Sequence, residues 1–212
     1  MEGMRALIVG IGGLGCPSSL ALAAAGIEHL TLIDPDVVEL SNLHRQPWHT
    51  DADLGRPKVD SAAEKLRQRF PNTTVATSQL ALTAQNAASL IAGHDVVLDG
   101  TDRGPVKFLL SDLGRPANVA VIFGGVLKLE GLAMRIEPKG PCLRCLFEES
   151  ALDGPTCAQV GVLGPMAGWV GATQAALALH GTPGVLHRFD GEQLRRREVT
   201  VNIAPDCPRC SS

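Results

Sequence analysis

The sequence predicts an α/β fold: a doubly wound, mainly parallel sheet in its first 125 residues, continued by antiparallel strands toward the C-terminus. Three observations predict it. The apolar run Arg5-Ala6-Leu7-Ile8-Val9 ends on a glycine turn, followed by an Ala/Leu-rich helix and a second apolar run. Strand, helix and strand within about 30 residues make a βαβ unit, whose crossover demands parallel strands. Apolar runs and helical patterns then alternate as far as Phe123, and beyond Gly124 the pattern changes to period-two alternation with a hairpin signal at Asp190-Gly191.

In chain order, residues 5–9 read as a buried parallel strand. Residues 18–25 read as a helix terminated by Gly26. Residues 29–33 form the second strand, ending at Asp34. Residues 58–70 are a polar amphipathic helix closed by Pro71-Asn72. A strand is expected over 74–80, a helix over 84–92, a strand over 95–98, a helix over 106–113 and a strand over 120–123. Residues 126–136 alternate around Gly131, and 185–203 read as the hairpin. The stretch 160–179 is nearly all apolar. A helix beginning at Pro165 has about 15 residues before Gly181, short of the ~20 that a bilayer needs, so it reads as a buried core helix. The expected organisation is a single domain over 1–212, with a nucleotide-binding half (1–125) and a substrate-facing extension (126–212).

Composition excludes several classes of function. With 19 basic against 22 acidic residues the net charge is −3, without the basic footprint of a nucleic-acid partner. Five Phe, two Trp and no Tyr leave few stacking platforms for single strands. The chain runs from Met1 straight into an apolar strand, so no signal peptide is expected, and neither is a membrane span.

Gly10-Ile11-Gly12-Gly13-Leu14-Gly15 satisfies G-x-G-x-x-G between strand and helix, the mark of a Rossmann-like nucleotide site. Backbone N–H groups and the positive helix end can hold phosphate there, and side chains larger than hydrogen would block the approach. Asp34 stands at the end of the second strand, where a carboxylate can accept ribose hydroxyls. The motif alone does not separate ATP from NAD. Beyond the acid come Ser41, Asn42 and Arg45, then Lys58. Arg and Lys are natural neutralisers of a triphosphate, although singly each also reads as a solvated surface charge.

Six cysteines include two C-x-x-C pairs, Cys142/Cys145 and Cys207/Cys210. Without secretory context they read as a metal site rather than disulfides. Two such knuckles complete a tetrahedral four-cysteine zinc site with every coordination position filled by protein, hence structural. Cys157 stands apart in a turn-rich segment. Cys16, at the start of the first helix, reads as a packing residue whose pKa the helix N-terminus would lower.

Together these stretches identify the sequence as resembling the ThiF/MoeB/HesA family, relatives of the ubiquitin-activating enzymes. The matching motifs are Gly10 to Gly15, Asp34, Leu40-Ser41-Asn42-Leu43-His44-Arg45-Gln46, Gly55-Arg56-Pro57-Lys58 and Leu98-Asp99-Gly100-Thr101-Asp102. In the second half they are Pro141-Cys142-Leu143-Arg144-Cys145, Thr156-Cys157 leading to Gly161-Val162-Leu163-Gly164-Pro165, and Cys207-Pro208-Arg209-Cys210. The resemblance implies a cytoplasmic homodimer that adenylates the C-terminal glycine carboxylate of a ubiquitin-like sulfur-carrier protein ending in Gly-Gly. ATP would lie over the glycine loop with its ribose on Asp34, Asn42, Arg45 and Lys58 holding phosphates, and Asp102 working with Mg2+. It also implies a thiol at Cys157 able to take part in sulfur transfer or to carry a carrier-linked intermediate. The sequence departs from the family at His44, where Gln is usual, and at Arg103, where Asn or Ser is usual; Arg103 would supply a replacement cation. The family's N-terminal helix, with an arginine that reaches the partner's ATP, is not found ahead of the first strand, which implies slow adenylation. A carrier-binding scaffold with weakened activity and a nicotinamide-dependent oxidoreductase are the alternatives.

Overall fold

The computed structural model describes residues 3–148 and 161–210. An eight-stranded sheet runs in the order β3-β2-β1-β4-β5-β6-β7-β8. The strands are β1 (Arg5–Val9), β2 (His29–Ile33), β3 (Thr74–Ser78), β4 (Val96–Asp99), β5 (Ala120–Leu127), β6 (Glu130–Ile136), β7 (Val185–Asp190) and β8 (Arg195–Thr200). From β3 to β5 all pairings are parallel. From β5 to β8 all are antiparallel. The change of direction falls at β5, as the change of sequence pattern after Gly124 predicts.

The described α-helices are α1 (Gly15–Ala24), α2 (Lys58–Arg69), α3 (Ala87–Ile91), α4 (Gly104–Ala117) and α5 (Gly164–His180). Where bounds differ from expectation, local chemistry accounts for the larger shifts. Helix α1 begins at Gly15, three residues early, because Pro17 lies in the first turn, where no intrahelical N–H is needed. Helix α4 opens with Pro105 in its first turn and continues to Ala117, ending on left-handed Asn118 (φ 54°). Strand β5 runs four residues past Phe123 because Gly124 and Gly125 still pair with Ala133 and Leu132.

One face of the sheet carries α1, α2 and α5; α5 packs on α1, β5 and β6, and its Met166, Val170 and Leu177 enter the core. The apolar stretch 160–179 thus places a buried helix, and no described helix is long and apolar enough to cross a membrane. The other face carries α3, α4 and the cysteine knuckles. Strand order diverges between β1 and β4, and in open α/β sheets the crevice at such a switch point is the ligand site.

Candidate active site

A cavity of about 950 Å³ opens at this switch point, within the size range of small-molecule sites. Of the expected residues, Gly10, Gly12, Gly13, Asp34, Asn42, Arg45, Lys58, Asp102 and Arg103 line it. Ser41 and Gly15 do not. The Ser41 hydroxyl donates to Glu39 Oε2 at 3.4 Å on the exposed surface, while its carbonyl accepts from Arg45.

The glycines divide into two kinds. A Cβ on Gly10 would meet the Gly100 carbonyl carbon at 2.8 Å, and one on Gly15 would overlap the Gly10 carbonyl oxygen. Gly10 lets the loop between β1 and α1 press against the loop after β4 and needs its left-handed φ of 90°, while Gly15 lets the start of α1 close onto Gly10. Gly12 has no such internal reason: a Cβ there would make only an ordinary 3.5 Å contact with Gln46 Nε2. Among the described residues, the amides of Gly12, Gly13 and Leu14 have no hydrogen-bond partner in the chain, and they sit at the amino end of α1. Bare amides, a helix terminus and a glycine that packing does not require fit a phosphate.

Asp34 is 4 % exposed and serves the loop directly. Its Oδ2 accepts the Ile11 N–H at 2.6 Å and its Oδ1 the Asp36 N–H at 2.8 Å. Burial pushes its carboxyl up, opposed by the Lys58 cation and the two amides. The acid expected to meet a ribose therefore also clamps the glycine turn to the end of β2. Its remaining lone pairs stay available, since an ionised carboxylate offers about four acceptor sites.

Lys58 starts α2, with its side chain almost buried and Nζ donating to Asp36 Oδ2 at 2.8 Å. Arg45 ends a 3₁₀ turn (Leu40–Arg45), and its Nη2 donates to Asn42 Oδ1 at 2.6 Å. The predicted trio Asn42, Arg45 and Lys58 thus comes to one cavity on two separate elements. Asp102 is exposed in the same cavity, between β4 and α4, beside Arg103, the residue preceding α4. Gln46, 3 % exposed at the cavity, leaves Oε1 without a partner, an acceptor that a ligand N–H or a water can fill.

One residue escaped sequence reasoning, and Asp99 was legible there only as a member of the Leu98 to Asp102 motif. Lys107, on α4, is buried beside Asp99 at the end of β4: its Nζ donates to Asp99 Oδ2 (3.1 Å) and to the carbonyls of Thr101 (2.7 Å) and Gly124 (2.6 Å). Asp99 Oδ1 accepts in turn from the N–H and hydroxyl of Thr101. The pair fixes the strap that carries Asp102. The available signal was a lysine amid the apolar Val106, Phe108, Leu109 and Leu110.

Away from the cavity, Cys142, Cys145, Cys207 and Cys210 bring their sulfurs within 4.8 Å of one another. The Cys142 sulfur lies 3.6 Å from that of Cys207 and 4.0 Å from that of Cys145. A tetrahedron of Zn–S bonds near 2.3 Å puts sulfurs about 3.8 Å apart, so the four fit such a metal. Against burial, the Arg209 N–H and the Cys145 and Cys142 thiols bring Cys207 down to about 7. Arg115 Nη2 donates to Cys210 Sγ at 3.2 Å. Cys157 lies outside the described residues. The Cys16 thiol is fully buried and pushed up to about 12, so desolvation outweighs the helix N-terminus that was expected to lower it.

The ThiF family model matches residues 1–209. The chain belongs to the ThiF family. It is similar to the SAMP-activating enzyme E1 of Haloferax volcanii, with 40 % identity over 215 residues covering 97 % of this chain and 80 % of that protein. It is likewise similar to the molybdopterin-synthase adenylyltransferase of Escherichia coli, 39 % identical over 222 residues, covering 99 % and 88 %. Both names describe activation or adenylyl transfer and lend the nicotinamide-dependent alternative no support. The ThiF fold is seen again in the crystal structure of E. coli MccB with ATP, at a TM-score of 0.86 over 100 % of this chain and 68 % of that one, with 19 % identity.

Proposed function

We propose that this chain is an ATP-dependent adenylyltransferase activating the C-terminal glycine carboxylate of a ubiquitin-like sulfur-carrier protein. The observation that carries the reading is the continuity of one cavity, from the bare amides of Gly12 and Gly13 to the open face of β6 and β7. Such a space admits a nucleotide at one end and an extended protein tail from the other. A carboxylate oxygen attacks the α-phosphorus, the bond to the bridging oxygen breaks, and pyrophosphate leaves with that bond's electron pair. Anion meets anion, so the barrier is mainly electrostatic. Arg45 and Lys58 supply charge, and Asp102 would hold Mg2+, in the same cavity. That ion, when bound, screens the phosphates and orients the leaving group. The nucleophile is ionised at neutral pH, so no general base is required.

In the same reading, residues 1–125 bind the nucleotide and 126–212 face the carrier. Arg103 adds a cation beside Asp102, and zinc bound by the four thiolates ties the C-terminal segment to α4 and β6. The protein acts as a cytoplasmic homodimer with two ATP sites, the exposed Val37, Leu40 and Leu54 offering apolar surface after β2. Cys157 serves sulfur transfer or carries a carrier-linked intermediate.

The test is exchange of labelled pyrophosphate into ATP, with and without a ubiquitin-fold carrier ending in Gly-Gly. Exchange that depends on the carrier supports the reading. No exchange with any such carrier, while ATP still binds, leaves the scaffold alternative in its place.

A further inference from the structure

Cross-strand register determines which side chains floor the far half of the cavity. Arg188 lies opposite Arg197, and Asp190 opposite Arg195. Residues opposite each other in an antiparallel pair, and those two apart on one strand, share a face, so these four stand together, and all of them line the cavity. On the other face of β8 the charges are matched, with Arg196 Nη2 2.9 Å from Glu198 Oε1. On the cavity face they are not. Among the described residues none of the three guanidiniums there has an ion pair or hydrogen bond, and the Asp190 carboxylate accepts the N–H groups of Glu192 and Gln193 instead.

Directly opposed like charges destabilise a sheet. An Arg188–Arg197 pair left without counter-charge therefore favours an anionic group from outside the chain. The nucleotide's phosphates are too distant. β7 lies three strands from β4 and β8 five from β1, which at ~4.8 Å per strand spans about 14–24 Å. An extended chain advances ~3.3–3.6 Å per residue. A tail whose terminal carboxylate reaches the glycine loop therefore passes β7 and β8 with residues about four to seven before its end.

Resting on the adenylyltransferase reading, we propose that Arg188, Arg195 and Arg197 read acidic side chains in the incoming partner, about four to seven residues ahead of its terminal carboxylate. They select among tails that all end in Gly-Gly.

The test uses two 12-residue peptides ending in Gly-Gly, alike except for Glu or Gln at the fifth and seventh positions before the terminus. Binding is measured by fluorescence anisotropy, together with peptide-dependent pyrophosphate exchange on the full chain. Two exposed charge pairs predict about tenfold tighter binding of the Glu peptide at low salt, shrinking as salt is raised. Arg188→Gln/Arg197→Gln should abolish that preference, and Arg196→Gln on the opposite face should retain it. Unaltered melting temperatures establish that the variants fold. Equal binding of the two peptides, or a preference that survives the double substitution, overturns the arginine assignment while leaving the adenylyltransferase reading intact. If no ubiquitin-fold carrier ending in Gly-Gly raises exchange above the carrier-free rate, that reading falls and the assignment falls with it.

Discussion

Lys107 Nζ and Asp99 Oδ2 lie 3.1 Å apart, with side chains 8 % and 1 % exposed. The lysine extends the contact to the carbonyls of Thr101 and Gly124, joining β4, the strap bearing Asp102 and the middle of β5. Removing one partner of a buried pair strands the other charge, so Lys107→Met should destabilise by about 3–5 kcal/mol. Adding Asp99→Leu should recover part of the loss. Urea unfolding of the single and double variants checks this, and a single variant as stable as wild type would contradict it.

The two kinds of glycine predict two kinds of failure. Gly15→Ala forces a methyl group onto the Gly10 carbonyl and should reduce soluble yield and melting temperature. Gly12→Ala meets only a 3.5 Å contact, so it should fold normally and bind ATP at least tenfold more weakly, a loss of about 1.4 kcal/mol. Thermal melts and nucleotide titration separate the cases.

At the phosphate end, Asp102→Ala should abolish exchange. Arg45→Ala and Lys58→Ala should each slow it by roughly 10²-fold or more, the cost of one charge-stabilising group. Lys58→Ala should also cost some stability near neutral pH: its partner Asp36 is 63 % exposed and loses little, but the buried Asp34 carboxylate loses the cation that opposes its desolvation. Full exchange by Asp102→Ala would remove that residue from the mechanism.

Four sulfurs within 4.8 Å of one another predict one zinc per chain. Cys210→Ser, or exhaustive chelation, should lower the melting temperature strongly, because metal binding and folding are coupled. Metal analysis and calorimetry read the result. Metal-free protein with an unchanged melting temperature would exclude a structural ion.

Acid should weaken the fold through its buried and half-buried histidines. Burial lowers His49 from 6.5 to about 4, and it lowers His94 and His187 as well. Within that window the unfolded chain carries more protons than the native one, so stability rises with pH across it and levels off above. Asp34, whose carboxyl burial pushes up, opposes this at the acid end. The melting temperature should therefore fall between pH 7 and pH 4.5, with His49 contributing about 1–2 kcal/mol after discounting for screening. His49→Asn should flatten the dependence, and melts across that pH range decide the matter.

Local signals were legible in the sequence; distant partners were not. Strands β1 and β2 fall on their expected bounds because apolar runs and glycine or aspartate ends mark them. The glycine loop, Asp34 and the two cysteine knuckles were equally readable, since their chemistry depends on spacing within a few residues. Lys107 was not, because its acceptors Asp99, Thr101 and Gly124 meet only when α4 folds back between β4 and β5. The arginine row was hidden for a similar reason. Arg188 and Arg197 share a face by register alone, and neither belongs to a motif. The second duty of Asp34, accepting the Ile11 N–H, likewise emerges only from three-dimensional placement.

Strand β5 belongs to both pairing regimes, and this sets an order for synthesis. Its antiparallel neighbour is adjacent in the chain, with Leu127 facing Glu130 across the turn, so that hairpin can close once it is made. The parallel half has no such shortcut, for Ala6 must wait for Val96. Loop-closure entropy makes such distant pairings late. As the ribosome delivers the chain from its amino end, β1 and β2 stand with an uncovered flank until β4 emerges. The glycine loop thus acquires its Gly100 and Asp102 neighbours only once the chain through β4 has been made.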